Sequence, residues 1–153
     1  MVRRGSPDAV LVASRALVGV AARSLVETED TVTLVQYRAL VLLAARGEMN
    51  VGTLAEALAV HQSTATRLCD RLVKRGLVER SAAPQSRREV VVSLTHAGYT
   101  LLQSVTTKRR AAIDEILERL TAKQRAAVTD AFLLFADAAG EAPDDAWKLG
   151  WTT

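Results

Sequence analysis

A mainly helical chain with one small β-hairpin is the fold this sequence predicts, and three observations predict it. Apolar residues recur at three- and four-residue intervals through most of the chain. Helix starts are marked by capping residues at Ser6, Thr33, Asn50, Thr95 and Thr121. The period switches once, after Gly76, into a β-branched stretch that includes Val90, Val91 and Val92. With 153 residues the chain fits one compact unit and not two independent cores, which excludes a multidomain enzyme.

The first helix opens at Ser6-Pro7-Asp8: a capping serine, a proline at the first helical position, and an acid facing the positive end of the dipole. It is expected to run to about Thr28, with Val10, Ala13, Leu17, Val18, Ala21 and Leu25 as one apolar stripe, before a loop at Glu27, Glu29 and Asp30. Thr33 and Gln36 have the spacing of a capping box and open a second helix that ends at Gly47. Asn50 caps a short third helix, with Leu54, Ala55 and Leu58, that stops at Ala59-Val60. The fourth runs from about Gln62 to Arg75, turning Ala65, Leu68, Cys69, Leu72 and Val73 inward, with Gly76 as its left-handed terminator. Two short helices joined by a tight turn form a helix-turn-helix.

Beyond Gly76, Leu77 to Ser81 reads as a strand, Ala82 to Ser86 with Pro84 as a turn, and Arg88 to Leu94 as a second strand. A helix-turn-helix followed at once by a basic-tipped hairpin is a winged helix. Thr95 then caps a long helix carrying Leu101, Leu102, Val105, Ala112, Ile113, Ile116, Leu117 and Leu120. A second capping box, Thr121 with Gln124, opens a last helix with Val128, Ala131, Phe132 and Phe135 that ends at Gly140. The small winged-helix core cannot bury these outer stripes, and the cheapest surface for them is a second copy in a two-fold homodimer. Residues 7–30 and 96–140 are therefore expected to be dimerisation helices, and residues 33–94 the winged helix-turn-helix lobe. Residues 141–153 form a tail whose Trp147, Leu149 and Trp151 are expected to pack.

Charge is informative once resolved by position. The chain is +3 at neutral pH, yet between His61 and Arg88 seven cations (Arg67, Arg71, Lys74, Arg75, Arg80, Arg87 and Arg88) face two acids (Asp70 and Glu79). A +5 block on a −2 remainder is the electrostatic footprint of a nucleic-acid-binding element. Aromatic residues at 4% give little material for a base-stacking platform. One cysteine and two histidines allow no intramolecular disulfide and no ordinary zinc site, and a reducing cytoplasm fits best. The sequence lacks an uninterrupted apolar run of membrane-span length, and Met1 to Ser6 lacks a signal peptide's apolar stretch, so neither membrane insertion nor targeting is expected. Without a glycine-rich phosphate loop, nucleophile elbow or metal-spaced cluster, no enzyme, metal or cofactor is expected.

Reading bases takes paired donors and acceptors projected from the first turns of a helix that fits the major groove. Gln62, Ser63, Thr64, Thr66 and Arg67 supply these types, while Arg71, Lys74 and Arg75 lie further along, where phosphate contact or structural pairing is expected. Arg87 and Arg88 stand near the hairpin turn, where an arginine can enter the electronegative minor groove.

Several stretches resemble the MarR family of winged-helix transcriptional regulators: Leu34 to Leu40, Ser63 to Leu68, Asp70 to Arg80, and Leu94-Thr95 with Gly98. The resemblance implies a homodimer on a pseudo-palindromic double-stranded operator, with recognition helices in successive major grooves and wings in the flanking minor grooves. It implies a repressor, with many members released by small aromatic ligands. By position, Ser63, Thr64, Thr66 and Arg67 would face bases, and Arg88 matches the family's wing arginine. This chain has Ser86 where the family usually carries an aspartate, and His61 at a cap position where serine, threonine or aspartate is commoner. Tyr37 and Arg38 begin a helix that in the family borders an effector pocket; core packing and a surface ion pair are the plainer roles. Two other readings stand beside the repressor: a winged-helix protein-interaction module, which has no need of the +5 block, and a redox-responsive regulator acting through Cys69, which the inward position of that residue opposes.

Overall fold

Capping side chains set the helix starts. The structure, a computed structural model, describes residues 7–26 and 32–141. Its elements are α1 (Pro7–Val26), α2 (Leu34–Arg46), α3 (Val51–Leu58), α4 (Gln62–Lys74), β1 (Val78–Ala83), β2 (Ser86–Leu94), α5 (His96–Leu117) and α6 (Ala122–Ala138). Thr33 Oγ1 accepts from the Gln36 N–H at 3.2 Å while Gln36 Oε1 accepts from the Thr33 N–H at 2.9 Å. The same reciprocal pair, Thr121 with Gln124, opens α6. Asn50 Oδ1 accepts from the Thr53 N–H at 2.8 Å, and Thr95 Oγ1 from the Gly98 N–H at 3.1 Å. Each bond satisfies a first-turn N–H that the helix itself leaves unpaired. The expected Ser6 cap, the loop at Glu27 to Asp30 and the packing of Trp147, Leu149 and Trp151 lie outside the described residues.

One core ties the helix-turn-helix to the hairpin. Leu40, Leu54, Leu72, Leu77, Leu102, Val92 and Cys69 are fully enclosed in it. Leu101, Leu102 and Val105 of α5 belong to the same core, so the helix expected to dimerise from residue 96 onward spends its first turns completing the winged helix. α5 thus serves both this core and the packing against α1.

The hairpin departs from its expected limits. The Leu77 N–H still closes the end of α4 by donating to Leu72 O at 3.0 Å, so β1 begins at Val78. The strands then continue to Ala83 and from Ser86, leaving Pro84-Gln85 as the whole turn. Proline presets the φ of a turn's first corner, whereas Ala82 and Ala83 remain free to extend. The antiparallel register runs from Val78 opposite Leu94 to Ala82 opposite Val90, then jumps to Ala83 opposite Ser86. Arg87, Arg88 and Glu89 fall in the jump and bulge from the ladder. Met49 adds a third-strand stub, exchanging two backbone hydrogen bonds with Val92 at 3.1 and 2.8 Å.

The outer helices are scarcely covered. No residue of α6 is buried, and Leu133 and Leu134 stand 65% and 73% exposed. Along α1 only Val20, Ala21, Ser24 and Leu25 are buried; Val10, Leu17 and Val18 of the expected stripe are open. By length and composition α1 is apolar enough to cross a membrane, although no uninterrupted apolar run announces it. Arg15 and Arg23 interrupt its surface, and α5 packs against it.

A Cβ at Gly98 would press on the carbonyl oxygen of Leu77, which is fixed by accepting the Thr95 N–H at 3.2 Å. Gly98→Ala is expected to cost about 1–3 kcal/mol, read as a lower urea midpoint at unchanged slope. A wild-type midpoint would show that the start of α5 can shift aside.

Candidate nucleic-acid interface

Burying one face of α4 decides what the other presents. Ala65, Leu68, Cys69 and Leu72 point into the core, so Gln62, Ser63, Thr64, Thr66, Arg67, Arg71 and Lys74 are all exposed. His61 stands at the N-cap and makes no side-chain cap bond, which leaves the first-turn N–H groups of α4 without a side-chain acceptor. Such a helix end, with its positive dipole, suits a phosphate. Thr66 Oγ1 donates to Gln62 O at 2.9 Å and so presents its oxygen as an acceptor. Arg67 Nε donates to Ser63 O at 3.3 Å, which steadies the guanidinium while its other N–H donors remain for a partner.

The wing places Arg87 and Arg88 in the bulge, both exposed. Ser86 Oγ accepts from the Arg88 N–H at 3.4 Å, a long bond that supplies an acceptor but no charge at the position where the resemblance leads one to expect aspartate. Two side-chain bonds tie wing to helices. Arg80 Nη2 on β1 donates to Asp70 Oδ1 on α4 at 2.6 Å, and Asn50 Nδ2 donates to Glu89 Oε1 at 2.8 Å. Sequence reasoning found Asn50 as a cap and missed its second bond, because its partner lies 39 residues away.

Cys69 is fully enclosed, and burial pushes its thiol up from the ordinary value, partly offset by the nearby Arg80. An inaccessible, protonated thiol is a poor oxidant sensor. Among the described residues no group of His, Cys, Asp and Glu could hold a metal ion.

A second concavity lies where α1, α2 and α5 meet. Its volume is about 750 Å3, and Tyr37, Arg38, Val41, Arg109, Ile113 and Glu141 contribute to its walls. Tyr37 is buried, as core packing predicts; its hydroxyl accepts from Arg109 Nη1 at 3.3 Å, and the guanidinium lies 5.6 Å from the ring centroid. Arg38 is half-exposed and ion-paired with Glu141 at 2.7 Å, which raises its already high pKa further. Gly140, at φ 69°, ends α6 and turns Glu141 back toward it. Arg109, 72 residues from Tyr37, had no local signal in the sequence.

A helix-turn-helix with an exposed polar first turn, a buried reverse face and a basic wing defines a winged-helix DNA-binding protein. The chain belongs to the MarR family: the family's model matches residues 32–90, which span α2 through the wing bulge. It is 36% identical over 90 residues to the HTH-type transcriptional regulator YsmB of Bacillus subtilis, covering 59% of this chain and 62% of that protein. It is 35% identical to the HTH-type transcriptional repressor NicR of Pseudomonas putida, over 50% of this chain and 49% of that one. The chain thus aligns with less than two thirds of these curated relatives. The solved structure of RV1404 from Mycobacterium tuberculosis is similar over 89% of this chain and 92% of its own, with 38% identity and a TM-score of 0.83. The relatives are transcriptional regulators and not enzymes.

Proposed function

We propose that this chain is a homodimeric repressor that binds a pseudo-palindromic double-stranded operator, with α4 in the major groove and the wing bulge in the flanking minor groove. One observation carries the reading: the polar first turns of α4 and the arginines of the wing are all exposed within the +5 block. Ser63, Thr64, Thr66 and Arg67, with Gln62, are the base-reading set, Arg71 and Lys74 the phosphate set, and Arg87 and Arg88 the minor-groove set. Repression is supported by the similarity to NicR. A regulator of this kind works in the cytoplasm.

The exposed apolar face supports the dimer. A groove of about 480 Å3 between α1, α5 and α6 is lined by Leu17, Ile113, Ile116, Leu117, Val128 and Phe132. Apolar surface of this extent is rarely left to solvent on a soluble monomer. A second copy buries it with matching chemistry, residues 7–30 and 96–140 forming the shared lobe and residues 33–94 the reading lobe.

The concavity at Tyr37, Arg38 and Arg109 suits a small aromatic anion: Tyr37 and apolar walls, with three guanidiniums (Arg38, Arg109 and Arg110) outnumbering two carboxylates (Asp114 and Glu141). Lying between the shared lobe and the reading lobe, such a ligand would favour one lobe separation over another and draw the dimer away from the half-site spacing of about 10 base pairs.

Binding to the chain's own upstream DNA, measured across salt, tests the regulator. Arg67→Ala is expected to weaken specific binding by about 1–3 kcal/mol and leave non-specific binding nearly intact, whereas Arg88→Ala weakens both. Equal loss of specificity from the two substitutions would count against the assignment. For the dimer, sedimentation should find twice the 16.5 kDa chain mass, and Phe132→Asp should halve it without unfolding, since no residue of α6 is buried in its own chain. A monomeric wild type sinks that reading. For the effector, benzoate titrated into the DNA complex should release wild-type protein and fail to release Arg109→Leu; equal release from both rejects the site.

A further inference from the structure

An acidic side chain on a face that approaches phosphate opposes binding, and three stand in or beside the basic block: Asp70, Glu79 and Glu89. Two of them are bonded across the joint between helices and wing. Asp70 on α4 accepts from Arg80 on β1 at 2.6 Å. Glu89, the last residue of the β2 bulge, accepts from Asn50 at 2.8 Å, and the other amide atom of Asn50 is the α3 cap. Each bond joins one helix of the helix-turn-helix to one strand of the wing.

Stability is a weak reason for either bond. Arg80 and Asp70 side chains are 35% and 54% exposed, and ion pairs in such positions contribute little. Position is a stronger reason. Arg87 to Glu89 have no ladder partner, so the Glu89–Asn50 bond is what fastens the arginine-bearing bulge to the helices. The Met49–Val92 bridge anchors the backbone one residue before Asn50.

We propose that Asp70 and Glu89 are positioning residues that fix the angle between wing and recognition helix, and so determine DNA specificity at some expense of charge attraction. An operator must meet α4 and the wing together, and a wing free to swing is ordered only at a cost on binding. Non-specific attraction to phosphates needs no such geometry. The proposal rests on the DNA-binding reading of this lobe.

Charge and position predict opposite signs. Removing a carboxylate tightens all DNA binding if charge is its only effect; if it positions the wing, specific binding falls while non-specific binding does not. The full-length protein is assayed on a duplex that the wild type selects from a random pool and on a scrambled duplex, at one salt concentration. Asp70→Ala and Glu89→Ala are each expected to lose about fivefold on the selected duplex and hold or gain on the scrambled one. Hydroxyl-radical protection of the flanking minor grooves should fade while major-groove protection stays. Glu89→Gln, which keeps an acceptor for Asn50 without the charge, should retain specificity. Glu79→Gln, whose parent side chain has no hydrogen-bond or ion-pair partner among the described residues, should tighten both duplexes. Unchanged thermal melts show that the fold is intact. If Asp70→Ala and Glu89→Ala instead behave like Glu79→Gln, the positioning role is overturned and the regulator stands. A wild type that selects no duplex overturns the regulator, and this proposal with it.

Discussion

The burial of one face of α4 is the constraint on which the rest depends. A helix turns 3.6 residues per revolution, so fixing Leu68, Cys69 and Leu72 in the core that also holds Leu40, Leu54 and Leu102 fixes the outward direction of every residue between them. Each enclosed leucine contributes about 1.5–3 kcal/mol. Base-edge recognition tolerates little angular error, and the side chains that would do it inherit their aim from this packing. The same face explains Cys69: its thiol is enclosed because the aim of α4 requires a residue there to be buried, not because chemistry is needed.

The wing follows a different logic, since little of it is packed. Val78 and Val92 pin the base of the hairpin to the core, whereas residues 84–90 reach beyond it and are mostly exposed. Orientation there falls to hydrogen bonds: the Met49–Val92 bridge, Arg80 to Asp70, Asn50 to Glu89, and the Arg88 N–H to Ser86. Acidic residues in a basic block look like waste when charges are merely counted. Bonded across the joint, two of them hold the cations in place.

The shared helix α5 links this head to the rest of the molecule. Its first turns complete the winged-helix core and its later turns carry Ile113 and Ile116 onto the open apolar face, so a shift at one end is conveyed to the other by a rigid element. The Arg109–Tyr37 contact lies midway along that link. In the proposed dimer this is where a ligand would act with most leverage on the spacing of the two reading heads.

Local chemistry in the sequence determined the element order, the capping boxes at Thr33 and Thr121, the Gly47, Gly76 and Gly140 terminators and the inward stripe of α4. Each of these depends on residues three or four apart, which the sequence displays directly. The resemblance pointed to the family as well, because its motifs are contiguous. Tertiary structure alone decided the two-residue turn at Pro84-Gln85, the bulge that sets Arg87 and Arg88 apart, the ties from Asp70 and Asn50 to the wing, and the meeting of Tyr37, Arg38, Arg109 and Glu141. Register and side-chain pairing across 10, 39, 72 or 103 residues follow from how the elements pack, and no local pattern encodes that distance.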